Sequence, residues 1–159
     1  MTRISSDSPA RVALFAGSFD PFTAGHASVV DRALPLFDRL VIAVGINADK
    51  TSAASAADRL AAIRAVYDGD PRVEVIACSG ELTVDLARRI GARWLLRGVR
   101  SVRDFEYERD MADLNRRLSG IETLILFSLP EHGAVSSSAV RELASYGCDV
   151  TPFLPHKHS

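Results

Sequence analysis

Gly17-Ser18-Phe19-Asp20-Pro21-Phe22-Thr23-Ala24-Gly25-His26 follows directly on the apolar run Val12-Ala13-Leu14-Phe15. A short apolar run broken by Gly17 and Pro21, with Val29, Val30, Ala33 and Phe37 then at helical spacing, predicts strand, turn and helix. His26 falls near the helix N-terminus, where unpaired N–H groups and the helix dipole favour phosphate. Gly17 and Gly25 would let a ligand approach the backbone, and the histidine can donate a hydrogen bond to a phosphate oxygen. The same residues also fit ordinary turn chemistry. The stretch has neither the Gly-Lys-Ser/Thr nor the Gly-x-Gly-x-x-Gly of the common phosphate cradles.

Outward from this stretch, the pattern repeats. Arg39 to Ile46 is nearly continuous apolar sequence, as in a parallel strand covered on both faces. Pro35 should end or bend the helix before it. Asn47 to Ser55 reads as a loop whose one cation is Lys50. Ser55 and Asp58 have capping-box spacing for a helix running to about Asp68. A strand is predicted at Arg72 to Ala77 and a helix at Leu82 to Ile90, closed by Gly91. Arg93 to Leu96 forms a fourth strand that delivers Arg97-Gly98-Val99-Arg100 at its carboxyl end. Ser101 and Asp104 then cap a long helix with Tyr107, Met111, Leu114 and Leu118 on one apolar face and Glu108 beside it. Thr123 to Phe127 is the fifth strand, and the last helix starts at Ser136 to Ser138 and runs through Val140, Leu143 and Tyr146.

Alternation of five strands with helices implies right-handed crossovers. The fold class is α/β, a Rossmann-like doubly wound five-stranded parallel sheet with helices on both faces. With 159 residues and 47% hydrophobic composition, residues 11–159 make one domain, and residues 1–10 read as a flexible extension. A net charge of −1 argues against general nucleic-acid binding. No apolar run approaches the ~20 residues of a membrane span, so a cytoplasmic protein is expected. Cys78 and Cys148 have no metal-ligand spacing and read as buried free thiols, and no metal site of side chains is expected.

Ligands of open α/β sheets sit beyond the carboxyl ends of the strands, which singles out Arg97 and Arg100. From Arg97 to Arg117, six arginines face five carboxylates, a balance that otherwise describes a solvated helix surface and accounts for Arg109, Arg116 and Arg117. Three serines at a helix start are usually a cap with neighbours, and are also phosphate donors.

The stretch G-S-F-D-P-x-T-x-G-H resembles the signature of the nucleotidyltransferase superfamily, with Thr23, Gly25 and His26 on its T-x-G-H. Arg97-Gly98-Val99-Arg100-Ser101-Val102-Arg103-Asp104-Phe105-Glu106-Tyr107-Glu108 and Val135-Ser136-Ser137-Ser138 are similar to two further motifs of the bacterial phosphopantetheine adenylyltransferase family, and the likeness runs from about Arg11 to Pro155. The resemblance implies that ATP and 4′-phosphopantetheine become dephospho-coenzyme A and pyrophosphate, with Mg²⁺, in a homohexamer. Carried over, it puts Ser18 and His26 at the reacting phosphates and Lys50, Thr83 and Arg97 on phosphopantetheine. It puts Phe19, Gly98, Val99, Arg100, Glu108, His132, Gly133, Ala134, Val135, Ser136, Ser137 and Ser138 on ATP. Thr51 to Ala57 departs from the family pattern of a second lysine, a proline and an aromatic residue, which predicts a less positive, more mobile loop. Two other readings are the same chemistry on another acceptor, such as nicotinate mononucleotide, and a nonenzymatic nucleotide-binding module. Lys50 and the Arg97-to-Glu108 stretch argue against the first, and His26 against the second.

Overall fold

The computed structural model describes residues 8–47, 52 and 54–157. Most of the expected N-terminal extension and Lys50 lie outside them. The elements are β1 (Val12–Gly17), α1 (Ala24–Ala33), β2 (Arg39–Gly45), α2 (Ala56–Val66), β3 (Val73–Cys78), α3 (Thr83–Ile90), β4 (Trp94–Val99), α4 (Val102–Ser119), β5 (Glu122–Phe127) and α5 (Ser137–Ser145). Short 3₁₀ turns lie at Leu34–Leu36, Pro130–His132 and Thr151–Phe153. All strand pairs are parallel, in the order β3-β2-β1-β4-β5. The chain winds outward from β1 to β3, then returns through α3 to place β4 on the other side of β1. That reversal makes β1 and β4 the switch point of the sheet.

Successive residues of a strand face opposite sides, and the apolar residues divide accordingly. Ala13, Phe15, Leu40, Ile42 and Val44 pack with Val30 of α1 and Ile63 of α2. Val12, Leu14, Val41 and Ala43 pack on the other face with Val84, Leu86 and Ala87 of α3. β1 and β2 are buried on both faces, which is why their sequences read as continuous apolar runs.

Caps follow the residue chemistry. Ser55, Ser101 and Ser136 each accept the N–H of the residue three positions on, at 3.1 Å. Gly91 and Gly120 close α3 and α4 in the left-handed region. Pro35 ends α1 in a 3₁₀ turn, as its fixed geometry requires.

Two expectations are corrected. β4 continues through Arg97, Gly98 and Val99, so these residues belong to the strand and do not follow it. Cys148 is exposed and Cys78 half-buried, and both thiols are free. On the apolar face of α4, Met111 is half-buried while Tyr107, Leu114 and Leu118 are exposed, and Glu108 is the buried residue of that helix.

Candidate active site

The cleft originates in a local failure of strand pairing. β1 and β2 stay in register from Val12/Arg39 to Gly17/Val44. β1 and β4 pair only at Ala13/Trp94 and Leu14/Leu95, and beyond that point they part. Arg97 spans the opening, its Nη1 donating to the Ala16 carbonyl at 2.7 Å. A cavity of about 330 Å³ lies over the parted ends, lined by Gly17, Ser18, Phe19, Thr23, Gly25, His26, Arg97, Gly98, Arg100 and Val135 to Ser138, among others.

α1 rests directly on β4 here. A Cβ added to Gly98 would come within 2.8 Å of Val29 Cγ2, so only glycine lets the helix sit this close. At Gly25, α1 lies against the loop before α5, where a Cβ would meet His132 Cβ and the Val135 carbonyl oxygen at 3.7 Å, an ordinary contact that does not demand glycine. The N-termini of α1 and α5 therefore meet at one cavity, and the partial positive charge of each faces it.

His26 is the third residue of α1 and part of the cap. The Thr23 N–H donates to His26 Nδ1 at 2.9 Å, and the His26 N–H donates to Thr23 Oγ1 at 3.3 Å. With Nδ1 an acceptor, the hydrogen-bond network assigns the proton to Nε2. The ring stacks on Phe22 and meets the edge of Phe19. Burial, with the cationic Arg97 and Arg100 nearby, lowers its pKa from 6.5 to about 4. The imidazole is thus neutral at physiological pH and carries an N–H donor.

The loop between β1 and α1 is held from outside by residues distant in sequence. Arg59 Nη1 donates to the Ser18 carbonyl at 2.6 Å, Arg141 Nη1 to the Asp20 carbonyl at 2.6 Å, and Ser137 Oγ to the Pro21 carbonyl at 2.8 Å. Phe19, between two of these carbonyls, has φ 47°, the one positive φ among the described non-glycine residues. Strain of that kind costs on the order of 1 to 3 kcal/mol and persists only where the surroundings enforce it. Neither Arg59 nor Arg141 is legible as a site residue in the sequence, because each acts on a backbone carbonyl far along the chain.

A second cavity, of about 160 Å³, opens on the other side of Arg97. It is lined by Leu14, Leu95 and Met111, with Thr83, Glu108, Asn115 and Thr123 as polar groups. The Thr123 hydroxyl is buried there without a hydrogen-bond partner among the described residues. Arg97 lines both cavities. Glu108 holds it with two hydrogen bonds, Nε to Oε2 at 2.9 Å and Nη2 to Oε1 at 2.7 Å.

Most of the expected residues thus converge, in two groups. Ser18, Phe19, His26, Gly98, Arg100, Val135, Ser136, Ser137 and Ser138 line the first cavity, Thr83 the second, and Arg97 both. Glu108 lines the second cavity and not the first, beneath Arg97. Val99 is buried and borders an apolar recess with Phe105 and Phe127. His132, Gly133 and Ala134 form the turn behind Gly25, outside the cavity lining. The three serines have separate duties: Ser136 caps α5, Ser137 holds Pro21, and Ser138 Oγ meets Arg141 Nη2 at 3.3 Å.

A parallel sheet opened at its switch point, two helix N-termini, two arginines and a neutral histidine donor form a donor-rich, cationic cleft suited to phosphate, the arrangement of a nucleotidyltransferase-type α/β domain. The cytidylyltransferase-like family model matches residues 14–143. The chain is 55% identical over 144 residues to the phosphopantetheine adenylyltransferase of Porphyromonas gingivalis, covering 91% of this chain and 94% of the relative. It is 51% identical over 145 residues to that of Phocaeicola vulgatus, covering 91% and 95%, and 44% identical over 145 residues to that of Leuconostoc citreum, covering 91% of each. The chain belongs to the phosphopantetheine adenylyltransferase family, within the cytidylyltransferase-like family. The solved bifunctional NMN adenylyltransferase/ADP ribose pyrophosphatase of Francisella tularensis aligns with a TM-score of 0.73 at 12% identity, over 94% of this chain and 46% of that one, a likeness of fold.

Proposed function

We propose that the protein transfers the adenylyl group of ATP to 4′-phosphopantetheine, forming dephospho-coenzyme A and pyrophosphate in coenzyme A biosynthesis. The observation that carries the mechanism is His26, neutral, with Nδ1 occupied by the Thr23 N–H and Nε2–H left to donate. The attacking group is a phosphate monoester whose second pKa is near ~6, so it is largely dianionic at neutral pH. It needs no general base, and an imidazole with a pKa of about 4 would be a poor one.

The chain must instead hold two anions together and stabilise the charge that develops between them. In the displacement, an oxygen of the acceptor phosphate bonds to the α-phosphorus as the bond to the β-phosphate oxygen breaks, and the electron pair leaves with pyrophosphate. His26 Nε2–H donates to an α-phosphoryl oxygen, with Ser18 beside it. Arg100 and the N-terminus of α5 at Ser136 to Ser138 receive the outer phosphates. Arg97, between the cavities, meets the acceptor phosphate, and the apolar walls and spare Thr123 hydroxyl of the second cavity suit an amide-bearing arm beside Thr83. Lys50, outside the described residues, is assigned to the acceptor in this reading, with the support of its resemblance to the family motif.

Mg²⁺ is proposed as a cofactor carried on the ATP phosphates. The cavity's charged side chains are cations, and no group of three His, Cys, Asp or Glu side chains gathers among the described residues, a donor set that fits a phosphate-borne ion better than a caged one. Hydroxyls in the cavity lining, Ser18 and Ser138 among them, would offer oxygen ligands to such an ion, which when bound shields the phosphate charge.

The proposed assembly is a homohexamer. The number six rests on the resemblance to the family, and the exposed apolar face of Tyr107, Leu114 and Leu118 on α4, with Val102 and Phe127 at the far end, supports contact between copies. No helix among the described residues is long and apolar enough to cross a membrane. A cytoplasmic location accords with the use of ATP.

The test is Mg²⁺-dependent pyrophosphate release from ATP with either 4′-phosphopantetheine or nicotinate mononucleotide. Release with the first alone is expected. Release with the second alone overturns the acceptor, and none with either overturns the transferase reading.

A further inference from the structure

Arg59 is a charged side chain for which the chemistry above has no use. It lies in the first turn of α2, 5% exposed, and its Nη1 donates to two strand-end carbonyls, Ser18 at 2.6 Å and Gly45 at 3.0 Å. Its Nε is buried without a hydrogen-bond partner among the described residues. A guanidinium buried with an unsatisfied donor is a poor device for stability, since an apolar side chain would fill the same space without the desolvation penalty. Its contacts point to what it does.

The Ser18–Phe19 peptide is trans, because the one cis bond among the described residues is Asp20-Pro21. In a planar trans peptide the carbonyl and the following N–H point in opposite directions. Arg59 takes the Ser18 carbonyl and is not among the residues lining the His26 cavity, whereas Phe19 is. The Phe19 N–H, which has no hydrogen-bond partner among the described residues, is therefore turned toward the cavity.

We infer that Arg59 is a positioning residue that fixes the Ser18–Phe19 peptide so that the Phe19 N–H faces the phosphate cleft as a preorganised donor. The positive φ of Phe19 accompanies this orientation. Arg141 on the Asp20 carbonyl and Ser137 on the Pro21 carbonyl stop the rest of the loop from relaxing in compensation. Removing the guanidinium frees the peptide to rotate and present its carbonyl, an acceptor, to the phosphates. The donor would be lost without any change in a residue that touches substrate.

The inference rests on reading the cavity as a phosphate site, and its test separates the two. Arg59→Met keeps the bulk of the side chain and removes its donors, and Arg59→Lys retains a cation with one compact donor group. Loss of one preorganised donor predicts a fall in kcat of about 10²-fold for Arg59→Met, with KM for 4′-phosphopantetheine unchanged, and about tenfold for Arg59→Lys. In the parent, saturation with ATP should move the Phe19 amide proton resonance strongly downfield. In Arg59→Met the shift should be absent, and in Arg59→Lys reduced.

A cooperatively folded Arg59→Met variant with kcat within threefold of the parent and the parent's Phe19 shift overturns the assignment. If that variant does not fold, an Arg59→Lys variant with parental kcat and parental shift does so. A parent without pyrophosphate release refutes the transferase reading instead, and the Phe19 shift with ATP still decides the role of Arg59.

Discussion

Acidification should expose the state of His26 directly. Its pKa in the fold is about 4 against 6.5 for a free imidazole, because burial and the two arginines disfavour a second proton. The unfolded chain accepts a proton at pH 6 that the folded chain refuses, so acid pulls the equilibrium toward unfolding. The contribution is complete above about pH 6.5, declines as pH falls, and is gone once pH passes below about 4. At about 1.4 kcal/mol per pH unit, the interval between the two values corresponds to about 3 kcal/mol.

Carboxylates held below their ordinary pKa, such as Asp38 beside Arg11, also begin to lose their stabilising contribution as the pH falls toward 4 and the unfolded chain takes up protons, so the absolute stability curve does not isolate the histidine. The difference from His26→Asn does, because asparagine is neutral throughout and its side-chain carbonyl can still accept the Thr23 N–H. Urea denaturation followed by circular dichroism at intervals from pH 7.5 to 4 should give parallel curves above pH 6.5. They should diverge by up to about 3 kcal/mol near pH 4, with the parent losing more. Parallel curves over the whole range, or an imidazole titrating near 6.5 by NMR, would refute the argument that the site excludes the charged form. In the expected case kcat shows no inflection from His26 between pH 6 and 8.

Three further outcomes follow from the geometry. Gly98→Ala should lower stability by about 1 to 3 kcal/mol in chemical denaturation, because its methyl carbon would come within 2.8 Å of Val29 and push α1 from the sheet. Arg97→Ala should raise KM for 4′-phosphopantetheine at least tenfold and Arg100→Ala should raise KM for ATP, and steady-state kinetics showing the reverse would exchange the two assignments. Leu118→Glu, on the exposed face of α4, should convert a six-chain particle to smaller species in sedimentation velocity, whereas unchanged sedimentation would remove this face from the interface.

Much of the fold was legible in the sequence because its signals are local. Apolar runs bounded by Gly and Pro marked β1 and β2, serine caps marked the starts of α2, α4 and α5, and Gly91 marked the end of α3. The extent of β4 was not, since Arg97 and Gly98 look like loop residues until β5 supplies their partners at Ile125 and Leu126. The stretch around His26 and the two arginines Arg97 and Arg100 stood out in the sequence, and the fold brings them to one cavity.

Contacts between residues far apart in sequence required the tertiary structure. α4 carries Tyr107 and Glu108 side by side, and nothing in that pattern says that the carboxylate is buried beneath Arg97 while the aromatic ring is exposed. Arg59 reads as one more polar residue of a helix until the ends of β1 and β2 close around it. The sequence alone determined the order of the elements, their caps and the phosphate motif, because each depends on residues within a turn or two of one another. The tertiary structure alone decided where β1 and β4 part, which charges are buried, and which way the backbone of the motif faces, because those depend on side chains reaching carbonyls 41 to 121 residues away.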